Sequence, residues 1–410
     1  MISPYLRNLA NQCETELADI FKKIDEISQI NTEKVLSAFS ECRLSDRHFN
    51  PTTGYGYNDD GRQAADDIYA KVFGCEAGFV RHNIISGTHA LTIGLFGLLR
   101  PGDTMYCVTG KPYDTLLGVI GLKGQQGSLA DFGVKYRQTE LIDGKTLDTD
   151  EILRVLKEDK TIKVVYIQRS KGYASRRTLT AGEITELYNA VKSVSNAFVY
   201  VDNCYGEFTN ITEPKADLLA GSLIKNPGGG MAESGGYLVG TATAVELAAW
   251  RYSVPGIGTE AGASLGNTKG IIKGLFYAPH SVANAKKTAH FTALLFKKLG
   301  FEVNPDPFEM REDIVQVVYL GGPEQLKAFC KGIQAGSPVD SHVTPLPAYM
   351  PGYKDDVIMA AGAFTQGSSI ELSADAPLRP PYCVYLQGGL TYESGRYGVL
   401  TAAEYVLNSK

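Results

Sequence analysis

The sequence predicts an α/β protein: a large domain on a mostly parallel, doubly wound sheet, followed by a smaller α/β C-terminal domain. Two observations lead there. Between Gln63 and about residue 250, short β-branched and aromatic runs alternate with segments of helical periodicity, the pattern of successive βαβ units. One of those runs, Phe198 to Val201, ends in Asp202, and open α/β sheets bind ligands at the carboxyl ends of their strands. With 410 residues, 44% of them hydrophobic, the chain can bury a large core and divide into two or three domains.

Residues 1–60 are expected to form a helical arm and loop, 61–268 the large domain, and 269–410 a linking helix and the smaller domain. In the arm, Leu6, Leu9, Leu17, Ile20, Phe21, Ile24 and Ile27 recur near helical spacing. They predict two amphipathic helices, with Asn31-Thr32 restarting the second. Gly, Pro, Asn and Asp make F-N-P-T-T-G-Y-G-Y-N-D-D-G-R (49–62) a loop, which carries Tyr55, Tyr57 and Arg62. A helix through Ala65, Ile68, Tyr69 and Phe73 ends at Gly74, suited to a left-handed C-terminal position.

A strand at Gly78 to Arg81 leads into I-I-S-G-T-H-A (84–90). There Ser86, Gly87 and Thr88 open a helix, and bare N–H groups and hydroxyls at a helix start attract phosphate, although a cap needs no ligand. Further strands are expected at Thr104 to Val108, Ile162 to Gln168, Phe198 to Val201 and Tyr237 to Val239. Helices are expected after Thr115 and from Ala181 to Val194. A helix over Lys269 to Leu299 leads to a strand at Ile314 to Tyr319, a helix from Glu324 to Ile333 and a C-terminal helix after Ser394. Two proline-rich loops, P-L-P-A-Y-M-P-G-Y (345–353) and A-P-L-R-P-P-Y (376–382), lie between, and the second holds Arg379.

Composition narrows the function. A net charge of −5 with no basic block gives no footprint for nucleic acid. Seven cysteines without a CxxC pair indicate neither a disulfide framework nor a zinc knuckle, and fit a reducing cytoplasm. The N-terminus lacks a signal profile, and no apolar run reaches the roughly 18 residues of a membrane helix. The six histidines show no ligand spacing, so no metal is expected. Gly256 to Gly262 is off the dinucleotide fingerprint, because Pro255 precedes it in place of a strand, and no G-x-x-x-x-G-K-[ST] occurs.

The chemistry concentrates at Asp202 and Lys225. A carboxylate that keeps a pyridine nitrogen protonated and a lysine amine that condenses with an aldehyde suit pyridoxal 5′-phosphate (PLP). Ser222 and the glycines after Lys225 could meet its phosphate. Either residue alone has a plainer reading, as a turn acid or a solvated loop charge. The neighbours strengthen the pair: S-G-T-H-A (86–90), L-R-P-G-D (99–103), Y-D-T (113–115), V-D-N (201–203) and S-L-I-K (222–225) follow one another in the order used by one group of PLP enzymes.

In these motifs the chain resembles the cystathionine lyase and methionine γ-lyase group, in the branch labelled aluminium resistance or methionine γ-lyase-like. The resemblance is specific over residues 50–250 and loose in the C-terminal third. It implies the aspartate aminotransferase-like fold (fold type I). It assigns the covalent lysine to Lys225, the ring-nitrogen partner to Asp202, and the phosphate to Ser86, Gly87, Thr88 and Ser222. Tyr113 would stack on the ring and move a proton at the leaving sulfur. A tyrosine from a neighbouring subunit, Tyr57 or Tyr55, would reach the phosphate, Arg62 lies in the same loop, and Arg379 would clamp the substrate carboxylate.

The implied activity is a carbon–sulfur lyase that eliminates a thiol from a sulfur amino acid to give a 2-oxo acid and ammonia, in a homodimer or homotetramer. An aminotransferase, an aldolase or a non-catalytic PLP-binding protein of the same fold are the alternatives. An acyl-serine reading of S-L-I-K lacks the K-T-G and S-D-N elements. The chain departs from the group in two places. Ile224 stands where a second hydroxyl is usual, and Q-R-S-K-G-Y-A-S-R (168–176) replaces an Asn-Pro context, so that Arg169 or Arg176 could contact cofactor or an acidic substrate. His89, Glu207 and Cys204 read as a satisfied helix-start histidine, a structural hydrogen-bond partner and small packing.

Overall fold

The computed structural model describes residues 2–173, 176–350, 353 and 355–409. Ala174 and Ser175 of the 168–176 stretch, and Pro351 and Gly352 of the first proline-rich loop, lie outside the described residues. The chain forms two compact units, each discontinuous in sequence. One comprises Glu33–Leu223 and Met231–Gly274, the other Met1–Thr32, Ile224–Gly230 and Leu275–Lys410.

The arm is helical, as its periodicity predicts, with α1 (Pro4–Glu16) and α2 (Ala18–Glu41). Ser3 caps α1 by accepting the Leu6 N–H, and Pro4 follows where no N–H is needed. The break falls at Leu17, not at Asn31-Thr32. Asn31 is buried inside α2, and the Thr32 hydroxyl donates to the Ser28 carbonyl one turn back, so neither residue interrupts the helix. The apolar stripe Leu6, Ala10, Cys13 and Leu17 joins the core of the second unit, which is why residues 1–32 group with the C-terminal elements.

After the end of α2, the first unit continues with α3 (Asp60–Val72), and Gly74 beyond it has the left-handed φ of +67° that its position predicts. β1 (Ala77–Arg81), α4 (Gly87–Leu98), β2 (Thr104–Cys107), the short α5 (Leu116–Ile120) and β3 (Lys135–Gln138) follow. Then come α6 (Thr149–Glu158), β4 (Ile162–Gln168), α7 (Ala181–Val194), β5 (Phe198–Asp202), β6 (Leu218–Ser222), β7 (Gly236–Gly240) and α8 (Ala242–Tyr252). The seven strands make one sheet in the order β1-β7-β6-β5-β4-β2-β3, parallel except that β7 runs against both neighbours. This is the mostly parallel α/β sheet the sequence predicts. β3, β6, α6 and α8 are absent from the sequence-based assignment.

Strands β4 and β5 are almost wholly buried, as crossover-linked parallel strands must be. Two contacts fix α4 on the sheet. A Cβ on Gly97 would sit 2.8 Å from Ala248 Cα, so glycine lets α4 and α8 touch backbone to backbone. The Tyr200 hydroxyl, on β5, is 3.2 Å from both the Ala90 and the Leu91 carbonyls and donates to this pair, tying the first turns of α4 to the strand that ends in Asp202.

The second unit completes the chain. Helix α9 (Thr268–Lys298) precedes β8 (Glu302–Asn304), β9 (Val315–Tyr319), α10 (Pro323–Ala335), β10 (Val357–Ala360), β11 (Ser373–Pro377), β12 (Cys383–Gln387) and α11 (Tyr392–Leu407). These five strands form an antiparallel sheet in the order β10-β11-β12-β9-β8, and their core includes Phe296, Phe329, Ile358, Leu386 and Val399. No helix among the described residues is long and apolar enough to cross a membrane.

Candidate active site

The carboxyl ends of β4, β5 and β6 bring three expected or neighbouring groups together. Gln168 is in register with Asp202, and Asp202 with Ala220, two residues before Ser222. Residues in parallel register, and residues two apart on one strand, share a face. Gln168, Asp202 and Ser222 therefore form one row. Asp202 is buried, and its Oδ1 accepts the Cys204 N–H at 3.1 Å. The Ser222 hydroxyl is fully buried and has no hydrogen-bond partner among the described residues. Leaving such a group unpaired costs about 1–3 kcal/mol, so the position fits a group that accepts or donates a hydrogen bond there.

The start of α4 closes over this row. Ser86 caps the helix, its Oγ accepting the His89 N–H at 3.1 Å, which leaves the first-turn N–H groups of Gly87 and Thr88 without acceptors inside the helix. A Cβ on Gly87 would meet Cys204 Sγ at 3.3 Å and Ser222 Cβ at 3.5 Å, so glycine keeps the helix start close against the ends of β5 and β6. Thr88 Oγ1 and Thr115 Oγ1 share a hydrogen bond of 2.7 Å. His89 Nδ1 accepts the Ile85 N–H, and burial, with the charge of Arg251, lowers its pKa and keeps the ring neutral. It is a satisfied helix-start histidine. Beneath the row, the Tyr166 hydroxyl is also buried without a hydrogen-bond partner among the described residues; burial first, then the nearby Asp202, pushes its pKa far above the usual phenol range.

Tyr113 lies on the irregular segment between β2 and α5. The Gln168 side chain accepts its backbone N–H at 2.7 Å, and its ring meets Tyr173 edge-on at 5.6 Å. Arg176 is buried and donates to the carbonyls of Thr109, Gln168 and Ser170, while Arg169 donates to Asn203 and pairs with Glu213. Both arginines hold backbone and side chains of their own unit. Glu207 accepts from the Tyr237 hydroxyl at 2.8 Å. Lys225 lies three residues beyond Ser222 in the chain and begins a tight turn, its carbonyl accepting the Gly228 N–H. In the second unit, Arg379 Nη1 pairs with Asp355 Oδ2 at 2.6 Å and its side chain is about half exposed.

Tyr55 and Tyr57 stack on each other at 5.7 Å and are 77% and 56% exposed, whereas Arg62, expected in the same loop, lies in the first turn of α3 and is buried. Its guanidinium donates to the carbonyls of Gly56, Gly262 and Glu260 at 2.6, 2.5 and 2.8 Å. Arg62 thus pins the tyrosine loop to the segment around residue 260. Arg62→Ala is expected to lower the unfolding free energy by about 3 kcal/mol, since three carbonyls, that of Gly56 buried, lose a charged donor. Urea unfolding with an unchanged slope checks this, and a loss below about 0.5 kcal/mol contradicts it.

A groove of about 900 Å³ lies elsewhere in the first unit between the end of α3 and α7, with Lys34, Cys75, Tyr188 and Lys215 among its lining. Its three lysines are matched by three glutamates, and it holds none of the expected site residues, so chemistry outweighs volume in locating the site. No group of three His, Cys, Asp or Glu suited to a metal occurs among the described residues.

The sequence pattern of the family described as Methionine gamma-lyase matches residues 6–407. The chain belongs to the methionine gamma-lyase family. Within that likeness, the uncharacterized protein YnbB of Bacillus subtilis strain 168 is 50% identical over 99% of this chain and 97% of its own length. A crystal structure described as a carbon–sulfur lyase involved in aluminum resistance, from Clostridium novyi NT, is 46% identical with a TM-score of 0.94, over 98% of this chain and 96% of its own. A PLP-dependent protein, YhfS of Escherichia coli, is 14% identical with a TM-score of 0.63, over 94% of this chain and 97% of its own, and shares the fold. The fold is that of the aspartate aminotransferase-like PLP enzymes.

The residues of the first unit fit such a cofactor. Ser222 offers an unpaired buried hydroxyl, Gly87 and Thr88 offer first-turn N–H groups to a phosphate, and Asp202 offers a buried carboxylate on the same row. Gln168 joins this row although the sequence assigns it no role. It ends a strand that was legible, but its contact is to a backbone N–H 55 residues away, which no local pattern reveals.

Proposed function

We propose that this protein is a PLP-dependent carbon–sulfur lyase that eliminates a thiol from a sulfur amino acid, yielding a 2-oxo acid and ammonia. The observation that supports it most is the row of Asp202 and the partnerless Ser222 hydroxyl beneath the start of α4, in a chain of the methionine gamma-lyase family. When bound, PLP supplies an electron sink for charge that develops at the substrate α-carbon.

The chain's own groups do the rest. Asp202 would hold the proton on the pyridine nitrogen, favoured by its burial beside a positive ring. Ser86, Ser222 and the N–H groups of Gly87 and Thr88 would take the phosphate. Lys225 would attach the cofactor through its amine and, once released by the substrate amine, take the α-proton as general base. Tyr113 would stack on the ring and hand a proton to the leaving sulfur. Arg379, whose Nη1 is held by Asp355, would present its remaining donors to the substrate carboxylate. The exposed Tyr57, or its stacked neighbour Tyr55, would reach the phosphate of a second copy in a homodimer or homotetramer.

Titration of apoprotein with PLP, followed by visible absorbance, tests the cofactor half of this reading. The wild type turns yellow and saturates. Ser222→Ala, which removes one hydroxyl and creates no overpacking, binds about tenfold more weakly, the loss expected for one hydrogen bond to a charged oxygen. An unchanged affinity in this variant removes Ser222 from the phosphate site.

A further inference from the structure

Gln168 has a task that the family likeness does not assign. It occupies the end of β4, in register with Asp202, and its two amide ends are used differently. The carbonyl oxygen accepts the Tyr113 N–H at 2.7 Å, and Nε2 donates to the Ser170 carbonyl at 3.1 Å. Its own backbone N–H donates to Thr109 Oγ1 at 3.1 Å. The segment that carries Tyr113 belongs to no strand or helix, and these contacts, with the Thr88–Thr115 hydroxyl pair and the Arg176 bond to the Thr109 carbonyl, help hold it against the strand ends. The fit is close. A Cβ on Gly172 would lie 3.0 Å from Tyr113 Cδ2, so the ring already has backbone against one edge.

From this geometry we propose that Gln168 is a positioning residue: by fixing the Tyr113 backbone beside Asp202 it sets the pose in which the tyrosine ring meets the cofactor. The inference rests on the proposed PLP site and concerns binding and orientation, not a chemical step. Tyr113 N–H lies outside any ladder and is part-buried, so the Gln168 side chain is the acceptor that ties it to the end of β4 in place of water. Glutamate at this position would keep the acceptor. Methionine, similar in size, would not.

The test compares Gln168→Met, Gln168→Glu, Tyr113→Ala and the double variant Gln168→Met/Tyr113→Ala, without substrate. PLP affinity is measured by absorbance titration, and the ring environment by visible circular dichroism per bound cofactor. Gln168→Met is expected to bind PLP about fivefold to tenfold more weakly and to lose most of the visible dichroic signal, with the urea midpoint tracked to separate misfolding. Gln168→Glu, which keeps the acceptor but loses the donor to the Ser170 carbonyl, retains more of the dichroic signal than Gln168→Met. The double variant is no weaker than Tyr113→Ala alone, because the ring whose pose Gln168 sets is already gone in Tyr113→Ala. Wild-type dichroism in Gln168→Met, or additive losses in the double variant, would overturn the positioning role while leaving the PLP site intact. A wild-type protein that takes up no PLP would overturn the site itself, and this proposal with it.

Discussion

Lys225→Ala, assayed with saturating PLP, is expected to lose at least about 10³-fold in kcat. The substitution removes two functions with one amine. General-base transfer by a positioned side chain contributes about 10²–10⁴-fold, and the covalent hold on the cofactor is lost as well. The variant should still bind PLP through the groups that do not involve the lysine, but release it on dialysis and lack the yellow colour of the wild type. Folding should survive, because the turn that begins at Lys225 is closed by its backbone carbonyl. A variant that keeps more than a tenth of the wild-type rate places the base elsewhere.

Asp202→Asn is expected to cost about 10³-fold in kcat with little change in stability. Asparagine is nearly isosteric, and its Oδ1 can still accept the Cys204 N–H that Asp202 accepts at 3.1 Å. What it removes is the buried negative charge. Without that charge the ring nitrogen loses its proton and the transition state its electrostatic support, a kind of loss worth about 10²–10³-fold in other preorganised sites. Steady-state rates and thermal unfolding measured together check the assignment. A rate within tenfold of wild type shows that the ring nitrogen does not depend on Asp202, and a large fall in unfolding temperature assigns the residue to the fold instead.

Much of the fold was legible because its central strands are long and apolar. Ile162–Gln168 and Phe198–Asp202 are buried runs of β-branched and aromatic residues, and Ala181–Val194 carries both a capping box and a helical stripe. The strands that escaped are those whose partners make them. Leu218–Ser222 ends in glycine and serine, and Ser373–Pro377 holds an aspartate and ends in proline, yet each is buried between two neighbours in its sheet. Local propensity is weak there and tertiary pairing decides. The helix break at Leu17 was misplaced for the same reason, since burial of Asn31 outweighed its preference for caps.

The candidate site divides in the same way. Ser86, Gly87, Asp202 and Ser222 stand in chain-ordered motifs, so they were readable, and the structure brings these four together at the strand ends. The roles of Gln168, Tyr200 and Arg62 were not readable. Each acts by holding backbone that is distant in sequence, from 55 residues for Gln168 to 200 for the Arg62 bond to Gly262. Arg62 also shows how residue type misleads: an arginine in a glycine-rich loop suggests phosphate, but here three carbonyls of its own unit take the guanidinium.

The central claim is carbon–sulfur bond cleavage, and the most direct measurement follows both products at once. The PLP-loaded protein is mixed in turn with cystathionine, cysteine and methionine, and free thiol (or sulfide) and 2-oxo acid are quantified over time. At least one substrate is expected to release the two in equal amounts, with ammonia, and Lys225→Ala to release neither. Formation of 2-oxo acid without thiol would contradict the lyase and assign the site to amino-group transfer.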